Sequence, residues 1–237
     1  MVGRTAAQSA VVGRVFNWRK AGRLGALVQV KPTLFIFTKA PRMGLSKTRL
    51  AADIGPVRAW QVKRKLDAFT CRSAQGEAWT TKLAVAPDRD LKTHFKDVWH
   101  ADLMRVSQGQ GNLGQRMAVI LQANSRGAVC IIGSDLPDLQ TRDIGQAFKT
   151  LKRNDVVIGP ATDGGYWLIG MSARCARRVK LDHVRWSSVH TLSDTLACLP
   201  TTWRVGFLRE LEDVDDGASL RKLKMIKPTR STDRLLL

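Results

Sequence analysis

The chain has 237 residues, and 44% of them are hydrophobic, which suits one large α/β domain or two small ones with a sizeable core. Its 39 Lys and Arg against 20 Asp and Glu give a formal net charge of +19. We therefore expect the surface to attract anions such as nucleotides, phosphorylated metabolites, nucleic acid or an acidic membrane. The four cysteines form no C-x-x-C pair, which argues against a zinc or redox motif. With no apolar run of transmembrane length and no signal-peptide pattern, we expect a cytoplasmic protein.

Residues 1–31 are basic and contain no acid, and we predict an N-terminal extension followed by a single domain over residues 32–237. The first strong strand is predicted at 33–38, an apolar, aromatic and β-branched run. It leads into residues 39–50, where Pro41 and Gly44 predict a loop. A basic loop between a first strand and a first helix is a common phosphate site, although an exposed loop without a ligand is the alternative.

Strands and helices alternate after this loop, which predicts an α/β fold with a mostly parallel sheet. Gly109, Gly111 and Gly114 mark a glycine-rich loop whose backbone amides are suited to an anion, although a flexible turn is the commoner explanation. We predict strands at 83–86, 103–106, 128–132, 155–160, 166–169 and 205–208, and helices at 56–70, 113–123, 142–151, 188–198 and 218–224, with a further short helix near 90–97.

Three aspartates each follow a predicted strand: Asp135 after 128–132, Asp163 after 155–160 and Asp215 after 205–208. Ligands of open α/β sheets bind outside the carboxyl ends of the strands. If these strands are neighbours, the carboxylates converge there, and a divalent cation relieves their repulsion. The alternatives are structural: Asp135 caps the next helix, Asp163 belongs to a hairpin turn, and Asp215 or Asp216 caps the last helix.

Five segments carry a combined resemblance to one family: Phe37–Pro41 with Gly44 and Lys47–Leu50, then Asn112–Met117, Ile132–Leu139, Gly159–Gly170 and Asp213–Asp215. Together they resemble the bacterial selenodomain-associated transferase 1 proteins, which are glycosyltransferase-like. The resemblance spans residues 32–225 and implies a three-layer α/β/α fold of the GT-A, nucleotide-diphospho-sugar transferase type. Guanylyltransferases that charge phospholactate or phosphoenolpyruvate are similar more distantly. Asn112 and Leu136 depart from the family, which often has an acid and a cysteine there, but neither is a proposed metal ligand.

The resemblance implies a nucleotide between the 39–49 loop and the ends of the central strands. Asp135 would bind Mg²⁺ or Mn²⁺, and Asp163 and Asp215 would complete the metal shell or orient the acceptor, which makes these two the candidate catalytic residues. Lysine would hold phosphate as a point charge and arginine as a fork. The candidate nucleotide- and phosphate-binding residues are Lys39, Gly44, Lys47, Arg49, Gly114, Arg116, Gly164 and Gly165.

The leading hypothesis is a metal-dependent, glycosyltransferase-like enzyme with a nucleotide-diphospho-sugar donor and a small-molecule acceptor. The alternative is a nucleotidyltransferase that joins a nucleoside triphosphate to a small phosphorylated metabolite. A basic nucleic-acid-binding module is a third hypothesis, but without an aromatic-basic motif we expect only salt-sensitive, non-specific attraction to nucleic acid. Because we expect the 39–50 loop to be exposed, Lys47→Ala and Arg49→Ala should weaken nucleotide binding with little effect on stability.

Overall fold

The computed structural model describes residues 30–225, so nearly all of the predicted N-terminal extension lies outside the described residues. One seven-stranded sheet contains β1 (Thr33–Lys39), β2 (Thr80–Ala86), β3 (Met104–Ser107), β4 (Val129–Ile132), β5 (Val156–Pro160), β6 (Tyr166–Met171) and β7 (Val205–Phe207). The helices are α1 (Thr48–Ile54), α2 (Pro56–Ser73), α3 (Leu113–Ala123), α4 (Thr141–Thr150), α5 (Ala173–Ala176), α6 (Thr191–Ala197) and α7 (Gly217–Met225).

The chain builds the sheet outwards from β1 and then returns to the other side of that strand. The strand order is β3-β2-β1-β4-β6-β5-β7, and neighbours are parallel except in the two pairs that involve β6. β6 is antiparallel because it follows β5 through a tight turn. The order reverses between β1 and β4, and such a switch point leaves a crevice outside the carboxyl ends of the two strands.

The two faces of the sheet pack against different helices. Leu34 and Ile36 of β1 lie in one apolar cluster with residues of α1, α2, α4 and α7. Phe35, between them, lies in a second cluster with residues of α3, α5 and α6. All three side chains are fully buried, as expected for a strand that is covered on both faces. The predicted three-layer α/β/α fold with a mostly parallel sheet is therefore confirmed.

Two local predictions near β1 and β2 are wrong. After β2 the chain makes one 3₁₀ turn at Asp88–Asp90 and then irregular turns, instead of a helix near 90–97. The predicted 39–50 loop ends early, because Lys47 is the N-cap and Thr48 already begins α1.

No helix within residues 30–225 is long and apolar enough to cross a bilayer.

Candidate functional site

A cleft of about 330 Å³ lies outside the carboxyl ends of β1 and β4, where the strand order reverses. A larger cleft of about 660 Å³ lies beside residues 94–101 and shares no lining residue with the first. We take the smaller cleft as the candidate site because it lies at the switch point and contains side chains of both charges. Its charged lining residues are Lys39, Lys47, Lys63, Asp135 and Asp215.

The loop between β1 and α1 is held against the body of the protein. Nε1 of Trp60 donates a hydrogen bond to the carbonyl of Pro41 at 2.7 Å, and Nε of Arg42 donates to the buried carboxylate of Asp90 at 2.8 Å. Lys47 then adopts φ 58° and ψ 40°, a left-handed conformation that costs a non-glycine residue about 1–3 kcal/mol. The Lys47 side chain lies in the cleft, where only 3% of it is exposed.

The ammonium group of Lys47 joins the two aspartates that follow β4 and β7. Its Nζ is 2.9 Å from Asp135 Oδ2 and 2.8 Å from Asp215 Oδ1, and it donates to the carbonyl of Val214. Burial lowers the pKa of Lys47, but the charges of Asp135 and Asp215 outweigh burial, so the net pKa is raised and the lysine stays charged. The prediction that Lys47 is exposed is therefore wrong, and its removal should affect stability.

Asp215 reaches Asp135 because the chain after β7 crosses the carboxyl ends of β5 and β4. Backbone hydrogen bonds fix this crossing: Leu211 N donates to Pro160 O at 3.1 Å, and Val214 N donates to Asp135 O at 3.1 Å. The two carboxylates therefore converge through a crossing segment, and not because their strands are adjacent in the sheet.

Different acidic residues cap the helices and line the cleft. Asp216 caps α7, since its Oδ1 accepts a hydrogen bond from Ser219 N at 2.8 Å, whereas Asp215 binds Lys47. Likewise, Asp143, and not Asp135, supplies the carboxylate at the start of α4. Asp135 and Asp215 therefore do not serve as these helix caps, and both line the cleft.

A second lysine, which sequence reasoning missed, contacts Asp135 from the protein interior. Nζ of Lys63 on α2 is 2.6 Å from Asp67 Oδ1, 2.7 Å from Ser134 Oγ and 3.5 Å from Asp135 Oδ1. Burial lowers the pKa of Lys63, but the charges of Asp135 and Asp67 outweigh it and leave the pKa raised. Burial also raises the pKa of Asp135, yet Lys63 and Lys47 hold it below its usual value. The sequence feature that could have indicated this buried lysine was its i, i+4 spacing from Asp67 within the apolar stripe of α2.

The other predicted phosphate-binding cations differ in their surroundings. Arg49 donates to Asp215 Oδ2 at 2.9 Å, but its side chain is 72% exposed. Lys39 is exposed and lines the cleft. Arg116 does not line the cleft, and its Nε donates to the carbonyl of Gly111 at 2.8 Å, which braces the glycine-rich loop. Lys39 and Arg49 are therefore accessible to an anion, whereas Arg116 supports the loop.

The predicted glycines have separate structural reasons for lacking a side chain. A Cβ at Gly114 would lie 2.5 Å from the ring of Trp186, and one at Gly164 would lie 2.4 Å from the carbonyl of Val189. These two positions permit close packing of neighbouring segments. Gly44 has open space around it but a φ of +78°, so the turn itself favours glycine. Their roles in phosphate binding remain predictions.

Asp163 does not form a three-carboxylate group with Asp135 and Asp215 among residues 30–225. It is exposed, and its Oδ1 accepts a hydrogen bond from Gly165 N at 2.9 Å, which closes the turn between β5 and β6. The charges of Asp163 and Asp215 both raise the pKa of Asp213, so both aspartates lie near that carboxyl group. β6 separates β4 from β5 in the sheet, so the ends of those two strands are not adjacent. A metal or catalytic role for Asp163 stays a prediction.

Asp135 offers a carboxylate oxygen to a cation, although Lys47 and Lys63 already balance its charge. Asp135 Oδ1 is buried and has no hydrogen-bond partner among the described residues. The pKa of the half-buried Asp213 is raised to about 6 by burial and then by the charges of Asp215 and Asp163. Within residues 30–225, no three His, Cys, Asp or Glu side chains are grouped to hold a metal ion. An ion here would therefore also need oxygens from water or substrate.

Half of the chain matches a known protein family. Residues 70–188 match the family described as an uncharacterized protein conserved in bacteria, DUF2064. No curated protein matches the sequence significantly. The narrower selenodomain-associated assignment therefore stays a prediction.

Solved structures share the fold over most of the chain. A candidate nucleotide-diphospho-sugar transferase from Desulfovibrio desulfuricans G20 is 26% identical with a TM-score of 0.76, and the match covers 87% of this chain and 94% of that one. CMP:2-keto-3-deoxy-manno-octonic acid synthetase complexed with CTP is 11% identical with a TM-score of 0.52, over 83% and 98%. Rv0371C of Mycobacterium tuberculosis H37Rv, in complex with manganese, is 13% identical with a TM-score of 0.50, over 83% and 100%. These similarities support the predicted coarse class, an enzyme of the transferase type.

Proposed function

The chain belongs to the DUF2064 family of proteins conserved in bacteria, and we propose that it is a metal-dependent transferase that uses a nucleotide-diphospho-sugar donor. The observation that carries this proposal is the Lys47 ammonium shared by Asp135 and Asp215 at the switch point of the sheet. An open α/β sheet binds its ligand at that point. Carboxylates and cations that converge there suit a diphosphate bridged by a metal ion. The similarity to the Desulfovibrio desulfuricans protein supports the same class of donor.

The accessible cations of the cleft would bind the diphosphate of the donor. Arg49 presents a planar fork from an exposed side chain, and Lys39 provides a point charge. Lys47 would provide a further point charge if its ammonium left the two carboxylates. Lys63 has a different role, because it is buried among Asp67, Ser134 and the Asp135 carboxylate. It would position Asp135 and not contact the phosphates.

Asp135 and Asp215 would hold the divalent ion, Mg²⁺ or Mn²⁺, since both are hard cations that prefer carboxylate oxygens. When bound, such an ion neutralises the charge that develops on the leaving nucleotide. The manganese complex of Rv0371C, a protein of the same fold, is consistent with this choice of ion. Asp163, exposed in the turn after β5, is the proposed residue for orienting the acceptor.

Product analysis tests the proposal, because two reactions of this fold break different bonds. In glycosyl transfer, the bond between the anomeric carbon and the diphosphate breaks, and a nucleoside diphosphate leaves. The acceptor oxygen bonds to that carbon and loses its proton. In nucleotidyl transfer, an oxygen of the phosphorylated acceptor bonds to the α-phosphorus of a triphosphate, the bond between the α-phosphorus and the bridging oxygen breaks, and pyrophosphate leaves.

We expect release of a nucleoside diphosphate from at least one nucleotide sugar in the presence of Mg²⁺ or Mn²⁺. Asp135→Asn should abolish the release, because it removes a proposed metal ligand. Asp102→Asn is the matched control, since Asp102 is exposed just before β3, at the opposite ends of the strands. Release of pyrophosphate from a triphosphate would instead establish the nucleotidyltransferase, and equal activity of the Asp135→Asn variant would refute the assignment of the site.

A further inference from the structure

The position that a metal ion would take between Asp135 and Asp215 is filled by the Lys47 ammonium. We propose that Lys47 is an internal counter-ion that a divalent cation displaces, so that metal binding frees this ammonium for the phosphates of the nucleotide. The identity of the anion rests on the proposed function, whereas the exchange of cations rests on the contacts of Lys47 alone. The exchange makes metal and nucleotide binding mutually dependent.

The contacts of Lys47 are those of a small hard cation. Its Nζ is bound by Oδ2 of Asp135 at 2.9 Å, by Oδ1 of Asp215 at 2.8 Å and by the backbone carbonyl of Val214. Carboxylate and carbonyl oxygens are also the ligands that divalent hard cations prefer. Two cations cannot occupy the same position, so an ion that takes these oxygens must displace the ammonium.

Lys47 is able to leave, whereas Lys63 is not. Lys63 is held by Asp67 and by the hydroxyls of Thr38 and Ser134, buried groups that contact no other cation within residues 30–225. In the part of the chain that the structure describes, the side-chain partners of Lys47 are the two carboxylates that the metal ion would need. Lys63 therefore continues to balance Asp135 after the exchange. Asp135 Oδ1 is buried, has no hydrogen-bond partner among the described residues, and can accept a further bond.

The exchange has a thermodynamic consequence. Without nucleotide, a metal ion must displace the Lys47 ammonium from its carboxylate partners, and the displaced ammonium gains no phosphate in return. This cost weakens metal binding. With nucleotide, the released Lys47 binds phosphate, so each ligand strengthens the binding of the other by the same factor. Metal alone should therefore bind weakly to the wild-type protein.

A calorimetric titration with Mn²⁺ alone tests the exchange. Lys47→Met should bind Mn²⁺ about tenfold or more tightly than wild type, because no charged hydrogen bond has to be displaced. Lys39→Met is the matched control, since it removes the same charge from the same cleft but from an exposed lysine that lies outside the carboxylate pair. It should change the affinity much less. Equal effects of the two variants, unchanged affinity of Lys47→Met, or no Mn²⁺ binding by either protein would overturn the proposal.

A second measurement uses the wild-type protein and remains valid if Lys47→Met fails to fold. In an NMR experiment on lysine labelled with ¹⁵N at Nζ, addition of Mg²⁺ alone should shift the Lys47 ammonium signal much more than the Lys63 signal, because Lys63 keeps Asp67 and Ser134 as partners. A Lys47 signal that does not respond at saturating Mg²⁺ would refute displacement. Neither measurement involves a nucleotide or turnover, so failure of the transferase assay and failure of the exchange are distinguishable.

Discussion

Replacement of Lys63 by methionine tests how the interior supports the cleft. Lys63 and Asp67 form an ion pair at 2.6 Å, with 4% and 1% of their side chains exposed. Asp67 Oδ2 has no hydrogen-bond partner among the described residues, so Lys63 is the main counter-charge of this carboxylate. Methionine has a similar length but no charge, and Lys63→Met therefore leaves Asp67 buried without its counter-charge, with only the Thr38 hydroxyl still donating to it among the described residues.

The expected loss of stability is large. Removal of one partner from a buried ion pair costs about 3–5 kcal/mol, which is a major part of the total of about 5–15 kcal/mol for a folded protein. Replacement of both partners by apolar residues is often close to neutral. Lys63→Met/Asp67→Leu should therefore recover much of the loss. It does not restore the donor that Ser134 Oγ loses, worth about 1–2 kcal/mol, or the positive charge beside Asp135.

Urea unfolding at pH 7 measures these differences. Lys65→Met on the same helix is the control, because Lys65 is partly exposed and should change the free energy of unfolding by less than about 0.5 kcal/mol. The reasoning is wrong if Lys63→Met unfolds within about 1 kcal/mol of wild type, or if the double variant is less stable than the single one.

Two further substitutions test packing and pH dependence. Gly114→Ala should lower the free energy of unfolding in urea by about 1–3 kcal/mol, because its Cβ would lie 2.5 Å from Trp186. Gly145→Ala should raise it by about 0.5–1 kcal/mol, since that Cβ has only ordinary contacts within a helix. An unchanged stability of Gly114→Ala would contradict the packing argument. The hydrogen bond from Arg42 holds the pKa of Asp90 below its usual value despite some burial, so this carboxylate stabilises the fold above its unfolded pKa and loses that effect as the pH falls through its folded pKa. The difference in unfolding free energy between wild type and Asp90→Asn should accordingly shrink from pH 7 to about pH 3, and a difference that is constant across this range would contradict the ion pair.

The strands that position the cleft were predictable because each is a short apolar run that ends at a turn signal. Residues 33–38 and 128–132 became β1 and β4 with almost the same bounds. Parallel pairing then brings their carboxyl ends together, so the location of Asp135 follows from local pattern and general topology.

The ion-pair network was not predictable, since its partners are far apart in sequence. Lys63 contacts Ser134 across 71 residues, and a Lys–Asp pair on a helix normally lies on a solvated face. Lys47 is buried only because Asp215, 168 residues later, crosses the strand ends. The expected convergence of Asp163 depended on adjacent strands, and the insertion of β6 between β4 and β5 was not visible in the apolar pattern.

Calorimetric titration with nucleoside diphosphates in the presence of Mg²⁺ tests most directly whether this cleft binds the nucleotide part of the proposed donor. Arg49→Ala is the informative variant, because the exposed side chain contributes little to stability. We expect binding by wild type, a loss of about 1.5–3 kcal/mol of binding free energy for Arg49→Ala, and no change for Arg58→Ala, an exposed arginine outside the cleft lining. Absence of binding by the wild-type protein, or equal affinities of Arg49→Ala and wild type, would contradict nucleotide binding at this cleft.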